Sequence, residues 1–130
     1  MGIERGVVCS ECGESFTVSE GGGFIFHLLH CEACGEEKSV GFAELGGLHE
    51  RYVKGLDTPF CSATWESDRR IQRDPSVEPL DKDAYHAEVE RMAGGCNCGG
   101  GFSFRAKPRC PACGSTRHEV DPDGEMICFD

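Results

Sequence analysis

Apolar residues are sparse along this chain and gather in short alternating runs. Val7-Val8 leads into Cys9, Ser15-Phe16-Thr17-Val18 predicts a strand, and Glu20-Gly-Gly-Gly23 predicts a flexible turn. Phe24 to His30 then predicts a return strand, and Lys38 to Phe42 a third. In the return strand Phe24, Phe26, Leu28 and His30 share one face, while Ile25, His27, Leu29 and Cys31 share the other. Both faces are mainly apolar, so another part of the chain or a partner must cover them.

Further on the period becomes helical. Leu48, Tyr52 and Val53 fall on one side of a short helix around 48–54. A longer helix begins at Asp81, which suits an N-cap, with Leu80 and Tyr85 at the two positions of a hydrophobic staple. Tyr85, Val89 and Met92 line one face at helical spacing, and Gly94-Gly95 ends the helix. Residues 57–79 hold three prolines, the only tryptophan and the cluster Arg69-Arg70…Arg73; they read as an irregular or partly helical connector.

Ten cysteines change this picture. Eight form four tight pairs, each followed by glycine: Cys9-Ser-Glu-Cys12-Gly13, Cys31-Glu-Ala-Cys34-Gly35, Cys96-Asn-Cys98-Gly99 and Cys110-Pro-Ala-Cys113-Gly114. Two thiolates so spaced can turn onto one cation, and the glycine can take a left-handed conformation that a side chain resists. Two such knuckles complete a tetrahedral four-cysteine site, the usual shape of structural zinc. The first two pairs are 18 residues apart, which fits the C-x2-C-x15–20-C-x2-C template. The last two are 11 residues apart, and Cys96/Cys98 is one residue short of the usual knuckle. The spacing predicts sequential pairing, Cys9/Cys12 with Cys31/Cys34 and Cys96/Cys98 with Cys110/Cys113. A crossed arrangement would close a much longer loop, although that penalty grows only slowly with length.

At these residues the chain resembles the zinc-ribbon, or rubredoxin-like, group of small metal domains. The resemblance covers roughly residues 5–45 and 94–130 and is strongest at Cys110-Pro-Ala-Cys113-Gly114. It implies hairpins clamping a metal with a third strand alongside, and no particular function. The expected fold is a small zinc-stabilised α+β chain. A first zinc ribbon spans 1–46, a helical or irregular middle segment 47–93 and a second zinc ribbon 94–130, with two structural Zn2+ ions.

Composition agrees with that expectation. Hydrophobic residues make up 38% and glycines number 18, so the core is small and metal is expected to supply much of the folding free energy. The N-terminal residues lack the apolar core of a signal peptide, and no run approaches the roughly 18 apolar residues of a membrane span. A cytoplasmic chain is expected, and in one the paired cysteines favour metal over disulfides.

Charge narrows the function. The net charge is −10, and each zinc held by four thiolates adds a formal −2, giving about −14. Such a field repels nucleic acid at a distance. Yet no acid occurs from Ala93 to His118, a window that holds Arg105, Lys107, Arg109 and Arg117 beside Phe102 and Phe104. This hairpin supports an alternative: a nucleic-acid-binding ribbon with Arg105, Lys107 and Arg109 on phosphate and Phe102 or Phe104 stacking. A rubredoxin-like iron electron carrier is a third reading, disfavoured by the C-x-C knuckle and the unequal loops.

The remaining candidates are weaker. Cys61 and Cys128 sit in apolar neighbourhoods and read as small buried hydrophobes. His27 shares a face with Cys31 and reads as a donor beside the first metal; His49, His86 and His118 show no grouping. There is no HExxH, deaminase, phosphate-loop or GxSxG pattern, and four cysteines would close each metal site. The expected function is therefore a non-enzymatic zinc-binding protein, an adaptor, regulator or accessory subunit that binds a protein partner and no membrane.

Overall fold

The computed structural model describes residues 2–129; Met1 and Asp130, the outermost residues of the two end segments, lie outside the described residues. It is a small α+β fold with two antiparallel sheets and four helices. The first sheet is centred on β1 (Gly2–Cys9), which pairs with β2 (Ser15–Gly21) on one side. On its other side β1 pairs with β6 (His118–Val120) near Cys9 and with β7 (Met126–Phe129) near Gly2. Between β6 and β7 the chain loops around Gly6, whose backbone bonds Asp121 and Glu125. Both ends of the chain thus share one sheet.

The second sheet has the order β4 (Glu37–Gly41), β3 (Phe26–Cys31), β5 (Phe102–Ser103). The return strand was expected to follow Ser15–Val18 back as a hairpin. Instead it leaves the first sheet after Gly21 and pairs with β4 and β5. Each of the first two cysteine knuckles is therefore the turn of its own hairpin, β1–β2 or β3–β4. The glycine-rich stretch serves as the crossing between sheets.

Four helices lie between β4 and β5: α1 (Phe42–Leu45), α2 (Gly47–Lys54), α3 (Trp65–Arg73) and α4 (Lys82–Ala93). Asp81 caps α4, its carboxylate accepting the Ala84 N–H at 2.9 Å, as the sequence predicts. The buried face of α4 runs through Tyr85, Val89 and Ala93. Met92 was expected on that face and is exposed instead, because a strict four-residue step selects Ala93. This face packs on Leu29, Cys31, Val40 and Phe102, with Leu48, Tyr52 and Leu80 at the margin. Helix α4 therefore covers one face of the return strand, while Phe26 on the other face stacks on Phe129 of the first sheet. The return strand is not the open binding face that its pattern allowed.

No described helix is long and apolar enough to cross a membrane.

Candidate metal centres

All four knuckles share one backbone design. In the three C-x-x-C knuckles the first cysteine's N–H donates to the carbonyl five residues on: Cys9 to Glu14, Cys31 to Glu36 and Cys110 to Ser115, each at 2.8 Å. The shorter Cys96-Asn-Cys98 knuckle closes on Gly100, four residues on, also at 2.8 Å. The missing residue is thus absorbed by a tighter turn, and the knuckle survives. Each glycine after the second cysteine has a positive φ: Gly13 and Gly35 at 79°, Gly99 at 96° and Gly114 at 76°. A Cβ would strain that backbone, which explains the recurring glycine.

The knuckles combine crosswise. Cys9, Cys12, Cys110 and Cys113 form one cluster, and Cys31, Cys34, Cys96 and Cys98 form the other. The sequential pairing expected from spacing is therefore corrected. Cys31/Cys34 joins Cys96/Cys98, and Cys9/Cys12 joins Cys110/Cys113. Sheet pairing is the physical reason. Strand β6 lies along the Cys9 end of β1, and β5 pairs with β3 at Cys31. Strand pairing therefore brings the distant knuckles together, and the long loops add little entropic cost.

The donor sets fit a tetrahedral thiophilic cation. Closest sulfur pairs are Cys9–Cys113 and Cys31–Cys98 at 3.5 Å, and Cys12–Cys110 and Cys34–Cys96 at 3.6 Å. Four sulfurs about 2.3 Å from a zinc would lie about 3.8 Å apart. All eight cysteines are free thiols, and these separations are far from a disulfide bond of about 2.05 Å. Backbone N–H groups favour thiolate; at Cys12, Cys34, Cys96 and Cys113 neighbouring side chains and desolvation outweigh them and push the thiol up, while at Cys9 and Cys31 they prevail. The N–H groups of Cys12 foremost, and of Glu11, hold Cys9 down to about 7 despite opposing desolvation. Those of Cys34 foremost, and of Ala33, hold Cys31 down to about 6. One carboxylate approaches a cluster, with Glu36 Oε2 accepting from Cys96 Sγ at 3.1 Å.

Arg109 joins the two centres. Its Nε and Nη2 donate to the Glu32 carbonyl, inside the second knuckle, at 3.2 and 3.0 Å. Its Nη1 donates to the Gly114 carbonyl, in the fourth knuckle, at 2.9 Å. One guanidinium thus clasps a knuckle of each cluster and sets positive charge between two sites that become anionic when metallated. Sequence reasoning placed Arg109 on a phosphate-binding tip; only the cross-pairing reveals this role. Phe102, the other half of that tip, is 8% exposed and packed in the core. Phe104 stacks on His86 at 4.0 Å. Arg105 and Lys107 remain exposed.

The clasp separates two otherwise similar glycines. A Cβ on Gly13 would meet nothing within 4 Å, whereas one on Gly35 would lie 2.6 Å from the Arg109 backbone nitrogen. Gly13→Ala should cost about 1–2 kcal/mol of left-handed strain. Gly35→Ala should cost clearly more, because the Arg109 backbone must move as well. Denaturant midpoints of the two metal-loaded variants check this difference.

The histidines occupy a different place from the one expected. His27 is not beside a cysteine cluster; its Nε2 meets the Tyr85 hydroxyl at 2.7 Å, and His49 Nδ1 meets the same hydroxyl at 2.9 Å. Phe42, Phe60 and Phe104 surround His27 at ring distances of 4.7, 6.3 and 5.3 Å. Burial first, then the neighbouring His49 and His86, lowers His27 from its ordinary 6.5 to about 4. As the pH falls, the unfolded chain takes this proton first. The site's contribution to stability is therefore full above about 6.5 and is lost as the pH falls towards 4. His27→Phe should make that stretch of the stability profile shallower without abolishing it, since burial lowers His49 and His86 as well; denaturant midpoints at each pH read the change. No spacing in the sequence links residues 27, 49 and 85; only α2 and α4 packing on β3 brings them together.

The two unpaired cysteines also differ from expectation. Cys128 is exposed on β7. Cys61 is half-buried, with its sulfur 3.2 Å from the Thr64 hydroxyl.

Fold and site together define a small α+β protein in which each of two sheets carries its own four-cysteine cluster able to hold a metal ion. The chain matches the domain of unknown function DUF8255 over residues 5–119 and belongs to that family. No curated protein and no solved structure matches it.

Proposed function

We propose that this protein is a non-enzymatic, zinc-stabilised interaction module: an adaptor, regulator or accessory subunit. The observation that carries this reading is the closure of both clusters by four cysteine sulfurs each. A catalytic zinc keeps one position for water or substrate, usually opposite histidine or carboxylate ligands. Four thiolates leave no such position, and they select zinc or iron over hard cations. Both sites tie distant segments together, which is what a structural metal does for a core this small.

Little favours the nucleic-acid alternative. Arg109 is engaged with two carbonyls and Phe102 is buried, so the basic hairpin offers Arg105 and Lys107 without its stacking partner. The iron reading separates from zinc by colour, since ferric thiolate absorbs visible light.

The test uses the native chain recovered from its source. We expect a colourless protein with two zinc ions, co-purifying with a stoichiometric protein. A coloured, iron-bearing chain, or recovery with nucleic acid that resists high salt, would overturn the proposal.

A further inference from the structure

The outer face of α3 stands apart from the rest of this acidic molecule. Trp65, Arg69 and Arg73 succeed one another at four-residue spacing, and Arg70 lies beside them. The Arg69 guanidinium rests 5.0 Å from the Trp65 ring centre, which holds the indole upright. Trp65 is nevertheless 54% exposed, the largest exposed apolar side chain of the described residues. An open groove of about 620 Å³ runs beside it, lined by Trp65, Glu66, Arg69, Arg70, Arg73, Asp74 and Pro75.

The groove sets three arginines against two lining carboxylates, Glu66 and Asp74, and so stays net positive on an acidic molecule. Asp68, which would sit among the arginines on an exposed helix, is turned inward and is 3% exposed; it accepts the Phe60 N–H at 2.7 Å and the Thr64 hydroxyl at 2.5 Å. The Asp74 carboxylate is occupied by the Ser76 N–H and hydroxyl at 2.9 and 2.7 Å. Glu66 is the other carboxylate lining the groove. Among the described residues, Arg70 and Arg73 have no carboxylate partner within ion-pair distance, although this chain carries 23 acidic residues. The platform is also braced. Lys54 Nζ donates to the Gln72 and Asp74 carbonyls at the C-terminus of α3, and Gln72 Nε2 reaches the carbonyls of Val53 and Thr58.

We propose that the Trp65–Arg69–Arg70–Arg73 groove is a docking site for a short acidic segment of a partner protein. Guanidinium groups pair carboxylates bidentately, and an exposed indole supplies apolar contact area at low entropic cost. Charge decides between an acidic segment and a nucleic acid. Duplex DNA carries about one negative charge per 1.7 Å along its axis. A polyanion of that density would extend past the helix onto surface belonging to a chain of net −10. A short segment with a few carboxylates can satisfy the groove and end before that repulsion begins. The proposal rests on the interaction-module reading and names the surface such a module would use.

The chain's only tryptophan lies in the groove, so emission excited selectively at tryptophan, away from the two tyrosines, reports on this site alone. The metal-loaded full chain is titrated with three probes: a capped decapeptide of alternating Glu and Ala, its Lys–Ala counterpart, and a ten-residue oligothymidylate. At about 20 mM salt the Glu–Ala peptide should give a saturable change in Trp65 emission. Binding should weaken at least about tenfold by about 200 mM salt, where screening shortens to roughly 7–10 Å. The Lys–Ala peptide should give none. Arg70→Glu/Arg73→Glu, whose intact fold is checked by metal content, should lose the response, with calorimetry confirming at least a tenfold loss of affinity. An unchanged response to the Glu–Ala peptide in that variant, or no response in the parent chain, overturns the proposal. Tighter, arginine-dependent binding of the oligothymidylate overturns it in favour of a nucleic-acid site. Absence of any response leaves the module reading standing, because that reading falls to the metal and co-purification result instead.

Discussion

Cys110→Ser should remove one of two metal equivalents and open the sheet at both ends of the chain. The lost metal is the one also held by Cys9, Cys12 and Cys113. Structural zinc in small peptides is worth about 10–16 kcal/mol at neutral pH, comparable with or above the whole stability of a typical domain at about 5–15 kcal/mol. Its loss should therefore melt local structure. Native mass spectrometry should show one metal where the parent holds two. Hydrogen exchange should then lose protection over β1 and β2 as well as β6 and β7, while β3 and β4 with α4 stay protected by the second cluster and the apolar core. If the metal were shared within each end of the chain, residues 2–21 would keep their protection, and the cross-paired assignment would be wrong.

The second large effect is expected at Tyr85. Its side chain is fully buried, stacks on Tyr52 at 4.1 Å, and sets its hydroxyl between His27 and His49. Desolvation first, then Tyr52, pushes its pKa up, so the hydroxyl stays protonated and can donate to one histidine while accepting from the other. Tyr85→Ala removes a large ring from the centre of the core and should cost about 3–5 kcal/mol. Tyr85→Phe keeps the ring and strips both histidines of their partner. Leaving these half-buried imidazoles without that partner should cost about 1 kcal/mol, the low end of the penalty for an unsatisfied polar group. Equilibrium denaturation of the metal-loaded variants measures both. A Tyr85→Phe variant as stable as the parent would show that the histidines find solvent or other partners, and that the hydroxyl plays no part in holding α2 and α4 to β3.

Much of this architecture is legible locally. The caps, the knuckle glycines and the helical faces depend on neighbours a few residues away. Asp81 and the turns at Gly13, Gly35, Gly99 and Gly114 consequently appear where the sequence places them. Met92 differs for the same local reason: a small residue such as Ala93 gives a weak apolar signal, so periodicity alone points to its larger neighbour. In the sequence the proposed docking face on α3 is only a cluster of arginines. What the sequence does not show is that Asp68 is turned inward, a direction that depends on Phe60 and Thr64 and on no periodicity.

The sequence by itself determined that eight cysteines act in four knuckles, that the segment between them is helical, and that the chain is strongly acidic. Those properties follow from short-range backbone chemistry and from counting charges. Only the tertiary structure decided which knuckle meets which, because spacing measures contour length, and loop closure discriminates weakly between near and distant partners. The choice was made by strand pairing, β1 with β6 and β7 and β3 with β5, which carries each late knuckle to an early one. The same long-range packing turned Arg109 from a surface cation into a clasp between two clusters, and gathered His27, His49 and Tyr85 from three separate elements into one hydrogen-bonded group.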